Sequence, residues 1–157
     1  MSRRRRPPVR LLLAIGVMLL ALLVPSVAGA PGATKKKRRS VDLVVKAARV
    51  ATTGDSNTVA GTFSGPPFGV GAVVYKTRPA GADTAATYKA YTSKGTLRGT
   101  TLVTPTPQPD GSISFTGTLQ VAGGTGRYRG ARGKDLSVTG TFKDNVFTFQ
   151  IKGKVRY

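Results

Sequence analysis

From Phe147 to Arg156 the chain alternates without a break. Phe147, Phe149, Ile151, Gly153 and Val155 hold one parity, and Thr148, Gln150, Lys152, Lys154 and Arg156 hold the other. Successive side chains of an extended strand point to opposite faces, so this segment has one apolar face and one basic, wet face. The segment before it reads the same way, with Leu136, Val138, Gly140 and Phe142 opposed to Ser137, Thr139, Thr141 and Lys143. Asp144-Asn145 supplies a two-residue turn between them, which predicts a hairpin. Ile113, Phe115, Gly117, Leu119 and Val121 form a third apolar face behind the turn-rich stretch from Thr104 to Gly111.

Upstream, Val73 and Tyr75 oppose Lys76 and Arg78, Tyr88 and Ala90 oppose Lys89 and Tyr91, and Leu97, Gly99 and Val103 oppose Arg98. Two less regular runs, near Leu43 to Ala51 and Thr58 to Phe63, bring the strand count to about eight. No stretch offers a helical period, and the turn signals have the spacing of a sandwich or a barrel. The region 41–157 therefore reads as one all-β domain, with 15 Lys+Arg against 6 Asp. Gly-Thr followed by Phe or Leu recurs at Gly61, Gly95, Gly117 and Gly140, as expected where strongly curved strands bend around a small barrel.

The first thirty residues follow a different grammar. Five arginines lie between Ser2 and Arg10, an uncharged run extends from Leu11 to Val24, and Pro25 precedes the small residues Ser26 to Ala30. That is the order of a secretory signal peptide, here residues 1–30, with cuts allowed after Ala28 or Ala30. Cleavage after Ala28 is the expected one, since the other leaves Pro31 at the new terminus. An uncleaved N-terminal anchor is the alternative, because Leu11 to Ala30 is uncharged over the ~20 residues a spanning helix needs. Both readings place the protein outside the cytoplasm, secreted or held at the envelope. Residues 31–40 read as a basic, disordered linker, whose Lys35, Lys36, Lys37, Arg38 and Arg39 suit an anionic envelope surface.

Chemistry is narrowed by what the chain lacks. It has no His, Cys, Glu or Trp, which excludes Cys/His zinc sites, disulfides, and Ser-His-Asp or Cys-His catalytic groups. Acid–base work falls to Asp, Lys, Arg and Tyr, and no metal or cofactor is expected. The net charge of +19 permits nucleic-acid binding. Export argues against it, as does the lack of an evident exposed aromatic platform.

The most specific motif is the loop Val121-Ala122-Gly123-Gly124-Thr125-Gly126-Arg127-Tyr128-Arg129-Gly130-Ala131-Arg132-Gly133. No Gly-Lys-Ser/Thr follows, so it is not a phosphate loop. A strand rather than a helix comes next, so it is not a dinucleotide fingerprint. It resembles the allene oxide cyclase/dirigent barrel superfamily, in which G-G-T-G-x-[FY]-x-G-A-x-G sits late in the chain. The resemblance implies a single eight-stranded antiparallel barrel around an apolar pocket, often assembled as a homotrimer. It also implies cofactor-free cyclisation, isomerisation or oriented coupling of a small molecule, in which the protein supplies shape and orientation. The chain departs from the family's cyclases in having no Glu, and its only Asn residues, Asn57 and Asn145, fall in turns. It departs from the dirigent proteins in lacking their acidic loop partner, since Gly124, Thr125 and Gly126 stand there. Arg132 matches the pocket arginine of the dirigent proteins.

Parity leads to the same residue without the family. If the strand of Leu136 and Val138 runs back without a bulge, Arg132 and Lys134 point inward at the barrel mouth. Tyr75 and Tyr88 share the inward parity of their strands. Arg132, Lys134, Tyr75 and Tyr88 then form an expected site for an apolar ligand bearing a carboxylate, enolate or phenolate. The plainer reading makes the tyrosines core and the arginine solvated. The competing function is a non-enzymatic envelope module that binds anionic polymers or lipid head groups.

Overall fold

A computed structural model of the chain describes residues 36–157. The expected signal peptide, both cleavage sites and Lys35 lie outside the described residues. Eight strands follow in order: β1 (Arg38–Thr53), β2 (Ser56–Gly65), β3 (Gly69–Ala80), β4 (Asp83–Thr92), β5 (Gly95–Pro107), β6 (Ile113–Gly124), β7 (Gly133–Lys143) and β8 (Val146–Arg156). Each pairs antiparallel with the next, and β1 pairs with β8, so the sheet closes into a barrel without free edges. The all-β, eight-stranded antiparallel barrel expected from the sequence is the fold.

Alternation sets what lies inside. Val41, Leu43, Val45, Val73, Leu136, Val138 and Ile151 are buried on the inner face, while their sequence neighbours Asp42, Val44, Lys46, Ser137 and Lys152 are exposed. Midway along the axis Phe149 packs edge-on against Tyr75 (ring centroids 5.7 Å apart) and Phe115 (5.8 Å). Here one repeated Gly-Thr-Phe element shows its use. A side chain at Gly140 would need the space held by Phe149 Cβ and the Phe115 ring, so only glycine lets these aromatics cross β7. Asp144 and Asn145 adopt φ of 50° and 64°, the geometry that joins β7 and β8 in the expected tight hairpin.

Two expectations are corrected. The expected linker 31–40 is already strand from Arg38, where Arg38, Arg39 and Ser40 pair with Arg156, Val155 and Lys154 of β8. Lys36 is tied down as well, its Nζ donating to the carbonyls of Arg129 (3.0 Å) and Gly130 (2.7 Å). The domain thus starts before residue 41, because the polar backbone of this basic stretch completes the ladder that closes the barrel. The second correction concerns β7. Leu119 faces Leu136 but Val121 faces Gly133, so β7 holds one extra residue across this step. Asp135 takes up the difference at φ 54°. Parity therefore reverses before Leu136. Gly133 is buried, and Arg132 and Lys134 are exposed on the outside instead of pointing inward.

The connections alternate between the two ends of the barrel. One end is formed by the turns that follow β1, β3, β5 and β7. The other gathers the remaining turns, the start of β1 and the C-terminus.

Candidate functional site

At the end that carries the β2–β3, β4–β5 and β6–β7 connections, the glycine loop closes the barrel. A single 3₁₀ turn, Gly126–Tyr128, swings the Tyr128 ring inward, where it is 1% exposed. Tyr128 meets Phe68 edge-on (5.4 Å) and Tyr157 edge-on (5.0 Å), a three-ring plug. Gly126 must be glycine here, since its φ is +56° and a side chain would strike the Lys94 carbonyl. Beneath the plug the interior is filled, and the gap lined by Leu43, Phe63, Leu97 and Ile151 measures about 30 Å³.

The opposite end is open. A cavity of about 300 Å³ enters between the turns and reaches down to Tyr75, Phe115 and Phe149. Its walls are apolar, from Val59, Ala86, Val103, Leu119, Val138 and Phe147. Its rim is polar, with Arg49, Asn57, Thr77, Thr84 and Thr101. That volume is at the lower end of the range for small-molecule sites, and an apolar wall with few polar groups is their usual chemistry. A larger concavity of about 870 Å³ lies over the outer face of β2–β6, but threonines, Lys76, Arg78 and Gln120 make its lining far more polar than that of the inner cavity.

Arg49 is the one cation among the described lining residues, and no carboxylate lines the cavity. Its guanidinium stands 5.4 Å from the centre of the Phe142 ring, which itself packs on Phe147 at 4.3 Å. Two of the acids of this end are engaged elsewhere. Asp110 accepts from Ser112 Oγ (2.6 Å) and Lys143 Nζ (3.0 Å), which holds its carboxyl well below the usual range, and Asp83 accepts from Thr104 Oγ1 (2.7 Å).

Of the four expected site residues the structure brings two together. Tyr75 and Tyr88 are both buried inside, with ring centroids 5.9 Å apart. Tyr88 Oη donates to the Gln120 carbonyl (3.2 Å) and borders the filled half, so it is packing. Tyr75 is 6% exposed, borders the open cavity, and makes no hydrogen bond to a described residue. Burial, with the Tyr88 phenol beside it, pushes the Tyr75 hydroxyl far above its ordinary value. It therefore stays protonated at any ordinary pH. Arg132 and Lys134 take no part. Arg132 Nη1 donates to the carbonyls of Ala122 and Ala131 outside the barrel, at the plugged end.

Arg49 and the threonine rim were missed by sequence reading, though a signal existed. Three inward rows turn polar at the same end: Val41, Leu43, Val45 and Ala47 lead to Arg49, Val73 and Tyr75 lead to Thr77, and Tyr88 and Ala86 lead back to Thr84. Among the described residues no helix is long and apolar enough to cross a membrane, and no cluster of ligating side chains fits a metal. Searches against protein-family models, curated proteins and solved structures find no match to this chain.

Proposed function

We propose that this protein binds an apolar small molecule inside the barrel, entering at the open end, with the ligand's anionic or hydrogen-bond-accepting group held by Arg49. One observation carries the reading: a cavity of about 300 Å³ with apolar walls, one cation at its rim and one unpartnered phenol at its floor. Enclosure removes water, so a charge-assisted hydrogen bond from Arg49 contributes about 1.5–3 kcal/mol toward a carboxylate, enolate or phenolate. Tyr75 then serves an acceptor at the buried end of the ligand.

The finer family assignment, an allene oxide cyclase/dirigent-like barrel, belongs to the same proposal. Its support is the closed eight-stranded antiparallel topology and the glycine loop between β6 and β7, where that family carries it. Cofactor-free cyclisation or isomerisation, which the family implies, would use orientation by the walls and donation from Tyr75. A raised phenol does not act as a base near neutral pH.

The test is a fluorescence titration with a naphthalene sulfonate and a fluorescent fatty acid. Ala86→Phe fills the cavity from β4, and Thr84→Trp narrows it nearer the rim. Both variants are expected to keep their β spectrum and lose probe binding. Unchanged binding in both would place the probe elsewhere and end the proposal.

A further inference from the structure

The two ends of the barrel differ in charge as sharply as in packing. Each connection at the open end has an aspartate in it or beside it: Asp55, Asp83, Asp110 and Asp144. The connections at the plugged end contain none, the nearest being Asp42 of β1, whose amide donates to the Pro66 carbonyl, and Asp135 of β7, and they carry Lys94, Arg127 and Arg129. The described chain also begins at this end, with Lys36 and Lys37 exposed.

Within this basic end four arginines stand side by side. Arg38 of β1 is directly opposite Arg156 of β8, and Arg156 exchanges backbone hydrogen bonds with Arg132 (2.9 and 2.8 Å). Beyond Arg132 comes Arg98 of β5. Arg132 Nη1 and Arg98 Nε each lie 3.5 Å from the point where a side chain at Gly123 would begin. All four are exposed, and the ion pair found among the described residues, Lys143 with Asp110, is at the other end. Neighbouring strands are ~4.8 Å apart, and like charges placed directly opposite are destabilising. A row of this kind opposes folding and favours an anionic partner.

Its shape selects the partner. The four arginines form an arc from β1 across β8 and the start of β7 to β5, and Lys94, Arg127 and Arg129 spread the charge over the connections of that end, which suits a flat charged surface better than a thread. At the same end Pro66 of the β2–β3 turn and Val70 at the start of β3 are exposed, the latter 76% exposed and the most exposed of the large apolar residues. A basic arc with an exposed apolar residue at the same end fits a bilayer interface, where cations meet anionic head groups and the apolar side chain meets the acyl boundary.

From these observations we infer that the plugged end is a docking face for an anionic lipid bilayer, organised by Arg38, Arg98, Arg132 and Arg156, and that docking turns the open mouth away from the membrane. Arg132, expected at the ligand pocket, belongs to this face. The inference stands apart from the ligand proposal, because it uses the opposite end.

The chain has no cysteine, so single labels are straightforward. Full-length protein carrying a fluorophore at Ser93→Cys (plugged end) or Ala82→Cys (open end) is mixed with vesicles bearing a nitroxide lipid quencher. One set is phosphatidylglycerol and phosphatidylcholine in equal parts, the other phosphatidylcholine alone. Salt-sensitive quenching is expected at position 93 on anionic vesicles, and none at position 82. Replacing the four arginines by Gln should weaken the anionic component by about a hundredfold or more, at roughly fivefold per residue. Replacing Lys46, Lys76, Arg78 and Lys89 instead removes the same charge and should cost at most about a tenth of that. Equal loss in the two variants would reduce the effect to net charge. Quenching at 82 as strong as at 93 would abolish the orientation. Binding to duplex DNA with none to anionic vesicles would replace the lipid by nucleic acid, and each of these overturns the inference.

Discussion

The two ends of this barrel are made from the same strands and reach opposite outcomes. At the plugged end Phe68, Tyr128 and Tyr157, from two connections and the C-terminus, pack ring to ring over the inner rows. At the open end Arg49, Asn57, Thr77 and Thr84 end the rows of β1 to β4, and Ile113, Phe142 and Phe147, which end those of β6 to β8, line the cavity without closing it. The difference shows that closing a sheet into a barrel does not by itself make a pocket. Whether aromatic side chains from the connections meet across its end decides whether the interior is core or cavity.

The largest expected effect is at the plug. Tyr128→Ala should lower stability by about 3–5 kcal/mol, as for deletion of other fully buried aromatics, measured from denaturant unfolding. A loss below about 1 kcal/mol would mean that the two ends are packed alike. At the open end the pattern should invert. Arg49→Gln is expected to leave stability within about 0.5 kcal/mol and to weaken anionic probes by roughly ten- to a hundredfold. Equal weakening of a neutral analogue would remove the charge from the account.

Alkaline titration sharpens the contrast between floor and rim. The unfolded chain loses its tyrosyl protons near 10.0, whereas burial keeps Tyr75 and Tyr88 protonated in the barrel to much higher pH. Their contribution is therefore complete below pH 10 and falls as pH rises, by about 1.4 kcal/mol per unit for each phenol. Tyr75→Phe should remove one such share from the slope of stability against pH between about 10 and 11.5. An unchanged slope would mean that the phenol ionises in the folded barrel. The smallest effect is expected for Arg132→Ala, with less than about 1 kcal/mol of stability lost and cavity probe affinity unaltered. A tenfold loss of probe affinity would return Arg132 to the pocket.

Much of the fold was legible because strict alternation leaves little freedom. The runs ending in Phe142 and Val155 fixed two strands, their inner faces and the hairpin at Asp144-Asn145. Other parts depended on information that alternation does not carry. The bulge at Asp135 reverses parity through one backbone angle at a residue with no special signature, and it moved Arg132 and Lys134 from the inside to the outside. Arg38 and Arg39 read as tail because basic residues seldom look like strand, yet their place in β1 comes from the unpaired backbone of β8 opposite. Inward parity placed Tyr75 and Tyr88 inside the barrel, where both lie. It could not tell cavity floor from core, because that depends on whether the rings above them meet. Arg49 continues the row of Val41 to Ala47, and was overlooked because that run was treated as irregular.

Ring signals separate the two ends directly, since Phe142, Phe147 and Phe149 with Tyr75 line the cavity while Phe68, Tyr128 and Tyr157 form the plug. Protein with isotope-labelled phenylalanine and tyrosine rings, titrated with a fatty-acid probe and followed by NMR, reads all seven at once. The account predicts saturable shifts at Tyr75, Phe142, Phe147 and Phe149, with Tyr128 and Tyr157 unmoved. Shifts centred on Tyr128 and Tyr157, or none at the cavity rings at saturating probe, would contradict it.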